Sequence, residues 1–103
     1  MEGIMNIEKT QNGTEVILAL SGRLDTTTAP QLEEKVQESL DGTQKLVLDF
    51  EKLEYLSSAG LRVLLTAHKA MMKSGGQVEI CHVNEVIHEV FEVTGFLDVL
   101  NIV

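Results

Sequence analysis

Alternating strand-like and helix-like segments predict a small single α/β domain, with a mixed, mostly parallel β-sheet, an antiparallel N-terminal strand and βα crossover helices. Three observations carry this. A short apolar run followed by a run of helical period occurs three times in succession. The dipeptide Asn12-Gly13, suited to the positive φ values of a tight hairpin, separates the first two strand-like segments. The chain has 103 residues, 44% apolar and 23% charged, which is the balance of one soluble core. A domain of that size buries roughly 60 to 70% of the surface its unfolded chain exposes.

The opening pair reads as Asn6–Lys9 and Thr14–Gly22. A surface helix follows from Thr28, with Leu32, Val36 and Leu40 at four-residue spacing, a Thr28/Gln31 capping box at its start and Gly42 as its stop. Lys45–Phe50 is a nearly continuous apolar run, which predicts a strand covered on both faces. The next helix runs from Ser58 to Lys73 and closes at Gly75-Gly76. At about 100° per residue, Arg62, Thr66, Lys69 and Lys73 fall in a narrow polar stripe, while Leu61, Leu64, Leu65, Ala67, Met71 and Met72 spread over most of the remainder. Gln77–Val83 reads as another strand, and Asn84 caps a helix with Val86, Ile87, Val90 and Phe91 on its apolar face and Gly95 at its end. Phe96–Val103 adds a last short strand. Loops leaving the carboxyl ends of parallel strands share one edge of such a sheet, so Gly22–Thr28, Glu51–Gly60 and the turn at Val83-Asn84 should converge.

Sixteen acidic residues against eight basic ones give a formal net charge of -8, a field that repels phosphate backbones and anionic lipid headgroups. Nucleic acid is therefore not an expected partner, and direct membrane insertion is not expected either. The longest apolar run, Val16–Leu20, is far short of the ~20 residues a membrane helix needs. Residues Met1–Lys9 carry an early acid and neither a basic leader nor a long apolar run, so no secretory signal is expected and the cytoplasm is the expected location. Cys81 is the only cysteine, which rules out a disulfide within the chain and a multi-cysteine metal centre. In its apolar stretch it reads as an inert buried thiol.

No G-x-S-x-G elbow, P-loop or dinucleotide fingerprint occurs. His68 falls within the apolar arc of its helix and reads as a packed core residue, and His82 and His88 have no third metal ligand at a recognisable spacing. No catalytic residue, metal or cofactor is expected, and a serine hydrolase lacks a histidine placed as base. There remains the pair Ser57-Ser58 at the mouth of a helix. One serine accounts for an N-cap. A second, followed by Ala59 and Gly60, leaves a sterically open hydroxyl on the edge where the three loops converge.

"GRLD" at Gly22–Asp25, "LVLDFEKLEYLSSAGLRVLL" at Leu46–Leu65 and "GGQVEICHVNEVIHEVFEVTGF" at Gly75–Phe96 resemble, in order and spacing, the STAS-domain anti-sigma factor antagonists of bacteria. The likeness covers nearly the whole chain and implies a STAS-like fold spanning residues 1–103 as one domain. In that family the strand-to-helix turn reads Asp-Ser-Ser-Gly or Asp-Ser-Ala-Gly, and its first serine is phosphorylated by a partner that is both anti-sigma factor and serine kinase. The matching residue here is Ser58, followed by Ala59 and Gly60; the preceding Asp is replaced by Ser57, whose hydroxyl is the alternative acceptor. The resemblance implies a regulatory protein and not an enzyme. Its unmodified form binds the anti-sigma factor kinase and frees the sigma factor, phosphorylation ends the binding, and a serine phosphatase resets it. The implied partner surface comprises Arg23, Asp25, Thr26, Ser57, Ser58, Ala59, Gly60, Arg62 and Thr66. The alternative is a STAS scaffold subunit of a signalling or membrane-transport complex, without a phosphorylation switch.

Overall fold

Five strands among the described residues, 5–103 of the computed structural model, lie side by side in the order in which the chain makes them. The N-terminal leader reading rests in part on residues 1–4, outside the described residues. β1 (Met5–Asn12) and β2 (Glu15–Leu24) form the expected antiparallel hairpin about Asn12-Gly13, with Gly13 at φ 62. β3 (Lys45–Leu56), β4 (Gln77–Cys81) and β5 (Asn101–Ile102) then add in parallel. α1 (Ala29–Ser39), α2 (Ser58–Lys73) and α3 (Glu85–Thr94) fill the crossovers, and a 3-10 turn at Phe96–Asp98 leads into β5.

The monotonic strand order decides how the sheet is covered. Right-handed crossovers that always step the same way across a sheet deposit their helices on one face. Val16, Leu18 and Leu20 of β2 pair with or flank Leu46, Leu48 and Phe50 of β3, which in turn meet Val78 and Ile80 of β4, and all are buried. Residues between them, Ile17, Ala19, Val47, Asp49, Glu79 and Cys81, are only half-buried. β3 is thus covered on one face, not two; Lys45, Val47 and Asp49 point away from the helices. Composition gave no sign of this, because Val47 makes the run look uniformly apolar.

Leu32 and Val36 of α1, Leu61, Val63, Leu64, Ala67 and Met71 of α2, and Ile87 and Phe91 of α3 close the core. The Phe50 and Phe91 rings stack with centroids 6.4 Å apart, fixing α3 over β3. Three apolar residues assigned to these faces lie outside the core: Met72 is 61% and Val86 60% exposed, and Leu65 is half-buried. Each stands next to a buried residue, on the flank of a stripe narrower than the hydrophobic pattern implies.

The strands also run further than expected. β2 reaches Leu24 and β3 reaches Leu56, paired as Arg23↔Tyr55 and Leu24↔Leu56 beyond register shifts at Ala19/Ser21 and Gly22/Arg23. Much of what reads as loop in "GRLD" and "EKLEYL" is bulged strand. β4 is shorter than Gln77–Val83, ending at Cys81 because His82 adopts φ 58. The capping box at α1 does not form: Thr28 makes no side-chain cap bond, its hydroxyl donating instead to the Arg23 carbonyl at 2.7 Å, and the Gln31 amide donates to the Met5 carbonyl at 2.7 Å. Tertiary partners on β1 and β2 outcompete the local cap.

Candidate functional site

One backbone and one side-chain hydrogen bond hold the three converging segments together. The Ser57 amide donates to the Leu24 carbonyl at 2.9 Å, joining the start of α2 to the end of β2. The Asn84 side chain donates to the Leu53 carbonyl at 3.0 Å and accepts from the Ile87 amide at 2.8 Å, so one residue caps α3 and ties its turn to β3. The convergence inferred from sheet topology is therefore present.

At the centre of this edge the two serines differ. Ser57 occupies the N-cap position of α2, with extended backbone at φ -99 and ψ 175, and makes no side-chain cap bond. Its hydroxyl oxygen is buried and has no hydrogen-bond partner among the described residues. Ser58, the first residue of α2, is exposed. The expectation that one serine caps the helix is thus corrected: the Ser57 amide is hydrogen-bonded to the Leu24 carbonyl, and the Ser57 hydroxyl caps nothing in the first turn. The Leu61 amide is met by the Ser57 carbonyl, and the amides before it have no intrahelical acceptor.

Around Ser58 stand the other residues singled out from the sequence. The Asp25 carboxylate accepts from the Thr27 and Thr28 amides at 3.0 and 3.1 Å, an Asx turn that shapes the β2–α1 loop. Arg23 lies 3.8 Å from Asp25 and 4.2 Å from the centre of the Tyr55 ring, a cation–π contact on the same edge. Thr26, Ala59, Arg62 and Thr66 share a shallow groove between α1 and α2, to which Pro30 and Glu33 also contribute. Gly60 does not belong to the surface. It is buried, and a Cβ there would meet Leu56 Cδ1 at 2.6 Å and Leu24 Cγ at 2.7 Å. Its small size serves close packing of α2 on the sheet, not the approach of a partner. Tyr55, 37% exposed and stacked by Arg23, is the site residue the sequence reading missed. An aromatic ring between charged Glu54 and the serine turn was the available signal.

Two further readings change with the structure. His68, read as a core residue, is half-buried, with Nδ1 buried and unpartnered among the described residues. Cys81 is half-buried, not enclosed, and faces the helix-free side of the sheet opposite Asp49. Asp49 accepts a 2.8 Å hydrogen bond from His82 Nδ1. Burial opposes ionisation of Asp49, but the His82 hydrogen bond and the Glu51 amide hold its carboxyl below the usual range. The same hydrogen bond raises the His82 imidazole, and burial together with Asp49, Glu79 and Glu51 pushes up the Cys81 thiol. No helix among the described residues is long and apolar enough to cross a membrane.

The description "STAS domain" matches residues 6–103. The chain is 38% identical over 85 residues to BtrV of Bordetella bronchiseptica, a candidate anti-sigma factor antagonist, covering 82% of this chain and 73% of that protein. Its fold superposes with a TM-score of 0.88 on the crystal structure of an anti-sigma factor antagonist from Mycobacterium paratuberculosis, at 21% identity over 99% of this chain and 87% of that one. The Bacillus cell fate determinant SpoIIAA in its phosphorylated form gives 0.74, at 18% identity over 97% and 91%. Family match, element order and mixed sheet agree: the chain belongs to the STAS domain family.

Proposed function

We propose that this protein is a cytoplasmic anti-sigma factor antagonist of one domain, whose unphosphorylated form binds an anti-sigma factor with serine kinase activity and frees its sigma factor. Phosphorylation of Ser58 ends that binding, and a serine phosphatase restores it. The observation that carries the reading is the contrast at the mouth of α2, where Ser58 is exposed and the Ser57 hydroxyl is buried. A kinase can reach the first without rearrangement; the second must first leave its enclosure. Relatives and fold neighbours named as anti-sigma factor antagonists support the same role, and one such neighbour, SpoIIAA, has structures in both an unphosphorylated and a phosphorylated form.

The physics of the switch follows from the location. A phosphate carries about -1.5 to -2 charges at pH 7, and the open amides and positive dipole end of α2 accommodate that charge without unfolding. Within a fitted protein interface the same charge is stripped of water, on the edge that also carries the Asp25 carboxylate. A penalty of about 2.7 to 4.1 kcal/mol corresponds to roughly 100- to 1,000-fold in affinity.

The test is incubation with the anti-sigma factor kinase and ATP, followed by mapping of the phosphate by mass spectrometry in the wild type, Ser57→Ala and Ser58→Ala. Label lost only in Ser58→Ala supports the proposal. Label retained there and lost in Ser57→Ala moves the acceptor by one residue. No label, together with stable binding to a complex that contains no kinase, replaces the switch with a scaffold role.

A further inference from the structure

On the face of the sheet that carries no helix, Asp49, Cys81 and His82 present a carboxylate oxygen, a thiol sulfur and an imidazole nitrogen that all lie within 4.8 Å of one another. We propose that these three side chains bind one zinc-class divalent ion, leaving its fourth position to water. The site is independent of the Ser58 switch and stands or falls without it.

Three features of the fold build the cluster. Asp49 and Cys81 are direct partners in the parallel β3–β4 ladder, so their side chains leave the same face of the sheet side by side. His82 follows at once, and in a regular strand its ring would point to the opposite face. Instead His82 has φ 58, the one positive value on a non-glycine residue among those described, and its Nδ1 comes to 2.8 Å from Asp49 Oδ1. A non-glycine residue in this conformation is uncommon and persists where its surroundings hold it. The departure from strand geometry is what brings the third donor to the same side.

The donor set then selects the ion. A thiolate with an imidazole and one carboxylate favours zinc over magnesium or calcium, which prefer oxygen donors throughout. Tetrahedral zinc at about 2.0 to 2.3 Å from each donor places the donors roughly 3.5 Å apart, within reach of small side-chain rotations from the present spacing. Binding replaces the Asp49–His82 hydrogen bond: the Nδ1 proton that His82 donates to Asp49 leaves to solvent from the imidazolium, or moves through solvent to Nε2 from the neutral ring, so that Nδ1 coordinates and Nε2 carries the hydrogen, while Cys81 releases its proton to solvent and coordinates as thiolate. The sequence hides this site because its ligands come from two strands, and only ladder register shows that Asp49 stands opposite Cys81.

Titration of the reduced, metal-free protein with Co2+ tests the site by absorption. One equivalent should give a thiolate-to-cobalt charge-transfer band and tetrahedral ligand-field bands, both bleached by Zn2+. Cys81→Ser should remove the charge-transfer band, and His82→Ala and Asp49→Asn should each weaken binding at least about tenfold, with circular dichroism verifying the fold. A wild-type protein that shows no saturable charge-transfer band overturns the proposal whatever the variants do. So does affinity unchanged in both His82→Ala and Asp49→Asn, which would place the ion elsewhere on the acidic surface.

Discussion

Ser57 stands where a helix N-cap belongs and does not act as one. Its hydroxyl is buried without a partner among the described residues, so it contributes the cost of a desolvated polar group and none of the gain of a cap. Replacing a working Ser cap by Ala costs about 0.5 to 2 kcal/mol. Ser57→Ala in this protein should instead leave stability unchanged within about 0.5 kcal/mol or raise it, measured by urea denaturation. A loss above about 1 kcal/mol would show that the hydroxyl caps α2 in solution. Asn84 provides the contrast, since its side chain both accepts from the Ile87 amide and donates to the Leu53 carbonyl. Asn84→Ala should destabilise by about 1 to 3 kcal/mol in the same measurement, because it removes a cap and orphans a β3 carbonyl.

At the scale of elements, α2 rests on the sheet through a glycine. An exposed helical Gly→Ala change stabilises by about 1 kcal/mol through helix propensity. At Gly60 the added methyl meets Leu56 and Leu24 below 3 Å, so overpacking should win. The expectation for Gly60→Ala is a net loss of about 1 to 3 kcal/mol by thermal or chemical denaturation, with binding to the proposed kinase partner reduced as the mouth of α2 shifts. A stabilised Gly60→Ala protein would mean that α2 can lift from the sheet at no cost. This element also shows what the sequence makes legible. The period of Leu61, Leu64, Ala67 and Met71 marks the buried face correctly, and the Asn84 cap and the Asn12-Gly13 turn follow from local chemistry. Thr28 and Gln31 show the limit, because the local cap lost to acceptors on Arg23 and Met5 that only the folded sheet brings near. Gly60 could be read equally as permissive surface or tight packing, and only its neighbours decide. Strand order, invisible in periodicity, left one sheet face open and with it Asp49 and Cys81.

For the molecule as a whole, the proposed switch predicts a change of surface without a change of shape. Ser58 lies at the rim of the core, and α2 is held from beneath by Leu61, Val63, Leu64, Ala67 and Met71, all buried. No part of that packing needs to move for a phosphate to occupy the open first turn. The added charge lies at the positive end of the helix dipole, a placement worth about 0.3 to 1 kcal/mol. For a domain of this size that corresponds to a melting temperature about 1 to 8 °C higher, reduced by repulsion from Asp25 across the loop. The phosphorylated protein should therefore melt at or slightly above the temperature of the unmodified form. Its amide NMR shifts should change at Ser57–Leu61 and the facing Leu24–Thr28 segment and stay put along β4 and α3. Kinase affinity, measured on the same samples, should fall by roughly 100-fold or more. Shift changes spreading through β4 and α3, or a lowered melting temperature, would mean that the phosphate acts by deforming the domain. Rejection by charge and bulk alone leaves the sheet as it was.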